Sequence, residues 1–137
     1  MDAYAIYNKP ENDLNLFYWG HFYAPDPFLA LKINQKTIAF VSELELGRCK
    51  SESTFDDVVS WPEIRKQLSL GSSNVIWSAF FEYLHKRYNI QRFFVPHDFP
   101  AFIYKQLLNN SAFSIDFDDN FFETQRAIKT ETEVAEI

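Results

Sequence analysis

At 137 residues, the chain has the length of one domain and can bury a real core. Asp and Glu outnumber Lys and Arg 19 to 13, giving a net charge of −6 and no electrostatic footprint for nucleic acid or an anionic membrane. A single cysteine, Cys49, excludes an intramolecular disulfide and a cysteine-based zinc site, and three glycines argue against a Gly-rich phosphate loop.

The chain opens Met1-Asp2-Ala3-Tyr4, with no basic segment leading into an apolar run. No run of about 18 apolar residues occurs, so the sequence reads as cytoplasmic, neither secreted nor membrane-spanning. Aromatic residues make up 18% of it, so ring packing must build much of the core. Ala3–Tyr7, stopped by the turn cluster Asn8-Lys9-Pro10, predicts a first strand. Leu14–Trp19, rich in aromatics and bounded by Asp13 and Gly20, predicts a second. Phe28–Ile33 and Thr37–Val41 predict a hairpin around Asn34-Gln35-Lys36, with Asn34 as turn residue. Ser42–Lys50 predicts a short helix, supported by Glu45 and Arg48 three apart. Phe55–Ser60 is a further strand candidate, ended by Trp61-Pro62. Pro62 suits the first turn of a helix over Glu63–Leu68. The polar stretch Ser69–Asn74, with Gly71, reads as a loop.

Asn74–Tyr88 carries the strongest helical periodicity: Val75, Ile76, Ala79, Phe80, Tyr83, Leu84 and Tyr88 share one stripe, opposite Glu82, Lys86 and Arg87. Phe93-Phe94-Val95 reads as a buried strand. Asp98 is the expected cap of a helix with Pro100 just inside it and Phe102, Ile103 and Leu107 on one side. Ala112–Ile115 predicts a last strand and Asp116–Asn120 a polar turn. Strands first, then helix, strand, helix, strand, give an α/β domain whose mixed sheet is parallel in its second half and covered by helices. The chain ends Thr130-Glu131-Thr132-Glu133-Val134-Ala135-Glu136-Ile137. Thr130 and Glu133 form a capping box, and Val134 and Ile137 an apolar pair, for a helix that then stops. Isolated helices under about 12 residues are marginal, so a longer parent cut at a domain boundary is the expectation.

No catalytic constellation stands out. His21, His85 and His97 form no His-x-x-x-His pair, and His85, beside Lys86 and Arg87, reads as a surface or capping histidine. Asp116, Asp118 and Asp119 are dense enough to attract Mg²⁺ or Ca²⁺. A calcium loop counted from Asp116 fails, because Phe121 and Ala127 stand where Gly and Glu are needed, so a solvated turn is the better reading. Arg48 could lower the pKa of Cys49, but no partner completes a dyad. Gly71-Ser72-Ser73 lacks the second glycine of a nucleophile elbow.

Two segments resemble the N-terminal domain of the creatinase/prolidase/aminopeptidase P family. The first is Asp13-Leu14-Asn15-Leu16-Phe17-Tyr18-Trp19-Gly20-His21-Phe22, followed by Ala24-Pro25-Asp26-Pro27-Phe28 and Leu29-Ala30-Leu31. It is similar to the family's Asp-x-Asn-x-x-Tyr-Leu-Thr-Gly-Phe stretch. Asn15, Tyr18 and Phe22 match, Trp19 replaces Leu, Gly20 comes one place early and His21 takes the Gly position. The second, Arg126-Ala127-Ile128-Lys129-Thr130-Glu131-Thr132-Glu133-Val134, resembles the family's Arg-x-Ile-Lys-Ser/Thr-x-x-Glu-Ile/Val junction. Between them, Val41-Ser42-Glu43-Leu44-Glu45 and Arg48-Cys49-Lys50 fall where the family has similar elements.

The resemblance implies a three-layer α/β/α fold with a ribonuclease-H-like mixed sheet over residues 1–125, and the start of a linker helix over 126–137. It implies a domain without catalytic residues, which aids dimer assembly and selects substrates by size. A C-terminal catalytic domain would then hydrolyse short proline-containing peptides with two divalent metals of the Mn, Co or Zn type. In relatives the segment corresponding to Gly20–Asp26 can face the active-site entrance, which makes His21 and Tyr23 candidate substrate contacts. Two other readings stand beside this one: a free-standing binding domain of the same fold without activity, and a small Mg²⁺-dependent nuclease using Asp116, Asp118 and Asp119. The acidic charge speaks against the nuclease.

Overall fold

Ala3 and Ala5 alternate with Tyr4 and Ile6 along the first strand, and strand residues alternate between the two faces of a sheet. In the computed structural model, which describes residues 1–69 and 76–124, that alternation separates two cores. β1 (Asp2–Asn8) pairs antiparallel with β2 (Phe28–Ile33), and β2 antiparallel with β3 (Lys36–Val41). The remaining pairings are parallel: β3 with β4 (Asp57–Ser60), β1 with β5 (Arg92–Val95), and β5 with β6 (Ser114–Phe117). The six-stranded order is β4-β3-β2-β1-β5-β6, so the mixed sheet is parallel beyond β1, as expected, and at its β3–β4 edge as well.

Helices cover both faces. Ala3, Ala5, Leu31, Ile38 and Phe93 face α3 (Trp61–Gln67), α4 (Ile76–Tyr88) and α5 (Ala101–Leu108) through Ile64, Phe80, Phe81, Leu84, Ile103 and Leu107. Ile6, Ala30, Ala39 and Val41 face α1 (Leu14–Gly20), α2 (Glu43–Glu52) and Phe122 through Leu16, Trp19 and Cys49. The result is a three-layer α/β/α domain. Aromatic rings build the first core: Phe81 contacts Phe93 at 4.8 Å, Phe93 contacts Phe113 at 5.1 Å, and Phe40 meets Phe80 edge-on at 5.4 Å. Burying each such ring is worth about 1.5–3 kcal/mol.

Several elements form as local chemistry dictates. Asn34 takes φ 56° in the β2–β3 turn, and Lys36 joins β3, paired with Ile33. Ser42 caps α2 by accepting from the Glu45 N–H, and Ser60 caps α3 by accepting from the Glu63 N–H, with Pro62 in the first turn.

Other elements differ from expectation. Leu14–Gly20 is a helix, not a strand: the Asp13 carboxylate accepts the Leu16 N–H at 3.1 Å, an N-cap, and a helical turn buries Leu16 and Trp19 together. Aromatic β-propensity lost to that packing. Asp98 does not cap α5. Pro100 holds the cap position, with no side-chain hydrogen bond to the helix. The stretch predicted as a polar turn is divided, with Asp116 inside β6 and Asp118 accepting the Phe121 N–H at 3.0 Å to open helical residues 119–124. Most of the Ser69–Asn74 loop, with Gly71-Ser72-Ser73, and the whole junction from Arg126 to Ile137 lie outside the described residues.

Candidate functional site

α1 ends where Gly20 passes the ring of Phe55. A Cβ on Gly20 would overlap Cδ2, Cε2 and Cζ of that ring. The Thr54 N–H donates to the Gly20 carbonyl at 2.8 Å and ties the two segments together. His21 follows in the left-handed region, φ 48° and ψ 47°, with its N–H returned to the Phe17 carbonyl. Such a position usually carries glycine, because a Cβ there meets the following carbonyl. The chain then runs with alternating exposure: His21 out, Phe22 in, Tyr23 out, Ala24 in. Phe22 is 2% exposed and packs on Phe28, whereas Tyr23 is 58% exposed.

The two sequence-predicted contacts, His21 and Tyr23, therefore project to one side of the segment. Phe17 of α1 joins them: its ring lies 5.4 Å from His21 and stacks on Tyr23 at 4.6 Å. The His21 Nδ1 also meets Thr54 Oγ1 at 3.3 Å. Reading Leu14–Trp19 as a strand hid Phe17, since its relation to His21 is the i, i+4 neighbour relation of a helix. Arg48 on α2 was the second residue missed. Its Nη2 donates to the Tyr23 carbonyl at 2.7 Å.

The other candidates do separate work. Asp119 accepts from the His97 backbone N–H at 2.8 Å and lies 3.0 Å from its Nδ1, while Asp118 serves as a cap and Asp116 belongs to β6. Among the described residues no group of three His, Cys, Asp or Glu side chains gathers closely enough to hold a metal ion. His85 donates from Nδ1 to the Ile90 carbonyl just past α4, a capping contact. Cys49 is fully buried, and burial pushes its thiol pKa up against the lowering influence of Arg48, so the activating effect expected from Arg48 does not prevail. No helix among the described residues is long and apolar enough to cross a membrane.

No family model matches the sequence, and no curated protein is similar to it by sequence. Solved structures match its fold. The prolidase from Pyrococcus horikoshii superposes with a TM-score of 0.63 and 17% identity over 92% of this chain and 30% of that one. The X-Pro aminopeptidase from Thermotoga maritima gives 0.67 and 13% over 92% of this chain and 33% of that one. A Streptococcus thermophilus Xaa-Pro aminopeptidase structure gives 0.65 and 11% over 92% of this chain and 85% of that one. The chain thus has the fold found in these peptidase structures, and it spans about a third of the length of the first two.

Proposed function

We propose that this chain is the non-catalytic N-terminal domain of a metal-dependent Xaa-Pro peptidase of the prolidase or aminopeptidase P kind. It aids dimer assembly and selects substrates by size, while a C-terminal catalytic domain hydrolyses the peptide bond. One observation carries the reading: the fold matches over 92% of this chain but only 30–33% of two full peptidase chains. The metals and the hydrolytic step belong to the other domain in this reading. The Gly20–Asp26 segment narrows the substrate entrance, and His21 and Tyr23 supply the contacts, with Phe17 beneath them.

The test uses the protein from its whole reading frame, the same protein without residues 1–125, and the present chain alone. The whole protein should cleave short Xaa-Pro peptides in preference to long ones. Removing the domain should erase that preference, and the present chain alone should cleave neither. Within the whole protein, His21→Ala should raise KM for a short Xaa-Pro peptide with kcat kept, the signature of lost uniform binding. Unchanged kinetics would remove the contact. A reading frame that closes after Ile137 would overturn the peptidase reading in favour of a binding domain of the same fold.

A further inference from the structure

The outward pair His21 and Tyr23 sits on a short irregular segment, and irregular segments are mobile unless side chains tie them down. Here one side chain does so. Arg48, from the second turn of α2, donates through Nη2 to the Tyr23 carbonyl at 2.7 Å and lays its guanidinium 4.5 Å from the centre of the Phe22 ring. It therefore holds the segment at two successive residues, Phe22 through its ring and Tyr23 through its carbonyl. The Phe22 side chain is buried, and that of Tyr23 leans on Phe17.

The guanidinium is itself held. Nε and Nη2 donate to Glu45 Oε2 at 3.0 and 2.5 Å, and Nη1 to Glu52 Oε2 at 3.4 Å. Glu45 is 15% exposed, so the pair is partly screened from water, and its hydrogen bond holds the guanidinium above its usual pKa. The arrangement needs a planar fork. Nη2 serves the carboxylate and the carbonyl together while Nε and Nη1 fix the plane, and a lysine ammonium has no such rigid geometry.

We propose that Arg48 is a positioning residue for substrate-size selection. It acts through the Tyr23 carbonyl to hold Tyr23 and His21 outward for contact with a short peptide. This rests on the reading above that the segment faces the substrate entrance. Arg48 itself touches no substrate. A neutralised surface pair on one helix would be a helix-stabilising device and nothing more, but the bond to a carbonyl 25 residues away lies outside that role.

The experiment has two arms, with Arg48→Lys and Glu45→Gln as variants and a circular-dichroism melt to verify that each is folded. In the first arm, backbone relaxation on the present chain reads the amides of Phe22, Tyr23 and Ala24. Arg48→Lys should lower their order parameters from about 0.85 to below about 0.6. Glu45→Gln, which alters no atom of the segment, should lower them in the same direction. In the second arm, Arg48→Lys in the protein from the whole reading frame should raise KM for a short Xaa-Pro peptide roughly threefold with kcat unchanged. Unchanged order parameters in both variants overturn the proposal whatever the kinetics. Lowered order with unchanged KM overturns it too, and places the failure in the substrate-facing reading of the segment.

Discussion

Gly20→Ala is the sharpest test of how α1 is seated. Alanine is the better helix former by about 1 kcal/mol in a helix interior, and by less at a last helical position. Against that gain stands the overlap of the new methyl with three ring carbons of Phe55. The ring cannot swing away freely, being 8% exposed and edge-on to Phe28 at 6.0 Å. Nor can the backbones part without losing the Thr54–Gly20 hydrogen bond, about 1 kcal/mol net. Overpacking costs about 1–3 kcal/mol, so the sum is a net loss of about 1–3 kcal/mol. For a chain of this size that is roughly 3–9 °C in Tm. Urea and thermal melts of Gly20→Ala, Phe55→Leu and the double variant form a cycle, in which the alanine should cost less once the ring is gone, with a coupling of at least about 1 kcal/mol. A Gly20→Ala variant that melts at or above the parent temperature would refute the packing argument.

His21→Gly should stabilise the fold by up to about 1 kcal/mol, because glycine accepts φ 48° without strain, and under the proposed function it should raise KM, as is expected of His21→Ala. A lower Tm would show that the ring contacts of His21 outweigh its backbone strain. Asn34→Val should cost about 1–2 kcal/mol at the β2–β3 turn, whereas Asn34→Gly stays within a few tenths, read from urea midpoints. The raised pKa of buried Cys49 makes stability pH-dependent on the alkaline side. Below the unfolded value near 9.0 the contribution is whole. As pH rises past it the unfolded chain ionises first and stability falls, and Tyr7 and Tyr88, also raised by burial, extend the loss above 10.0. Melts from pH 8 to about 10.5 should show that decline, with the first part absent from Cys49→Ala.

Much of the fold was legible because its signals are local. Asn34 between two β-prone runs, Ser42 before Glu45, Pro62 after Ser60 and the stripe of Asn74–Tyr88 each announce an element without reference to the rest of the chain. α1 was not legible that way. Phe17, Tyr18 and Trp19 favour strands, and the helix is decided by the fit of Leu16 and Trp19 against the sheet and by the space at Gly20, both of which depend on Phe55 and Phe122. The same error concealed Phe17 at the candidate site. The sequence offers Arg48 as a partner of Glu45 and a neighbour of Cys49 but not as a support of Tyr23, because its bond to the Tyr23 carbonyl exists only once α2 is laid across the segment.

The place of β1 bears on how the chain folds as it is made. Residues 2–8 occupy the middle of the sheet, yet on one side Asp2, Ala3 and Tyr4 wait for β5, with Asp2 aligned to Arg92 and bound to it at 3.1 Å. β1, β2 and β3 can close as a local meander early in synthesis. Until residue 95 emerges, however, the far side of β1 is a bare edge, open to pairing with a neighbouring nascent chain. Slow elongation between β4 and β5 prolongs that exposure. An affinity tag placed directly before Met1 adds chain beside this edge, where the N-terminal ammonium meets the Gln91 side chain, so a fusion at that end bears on the stretch of sheet that is completed last.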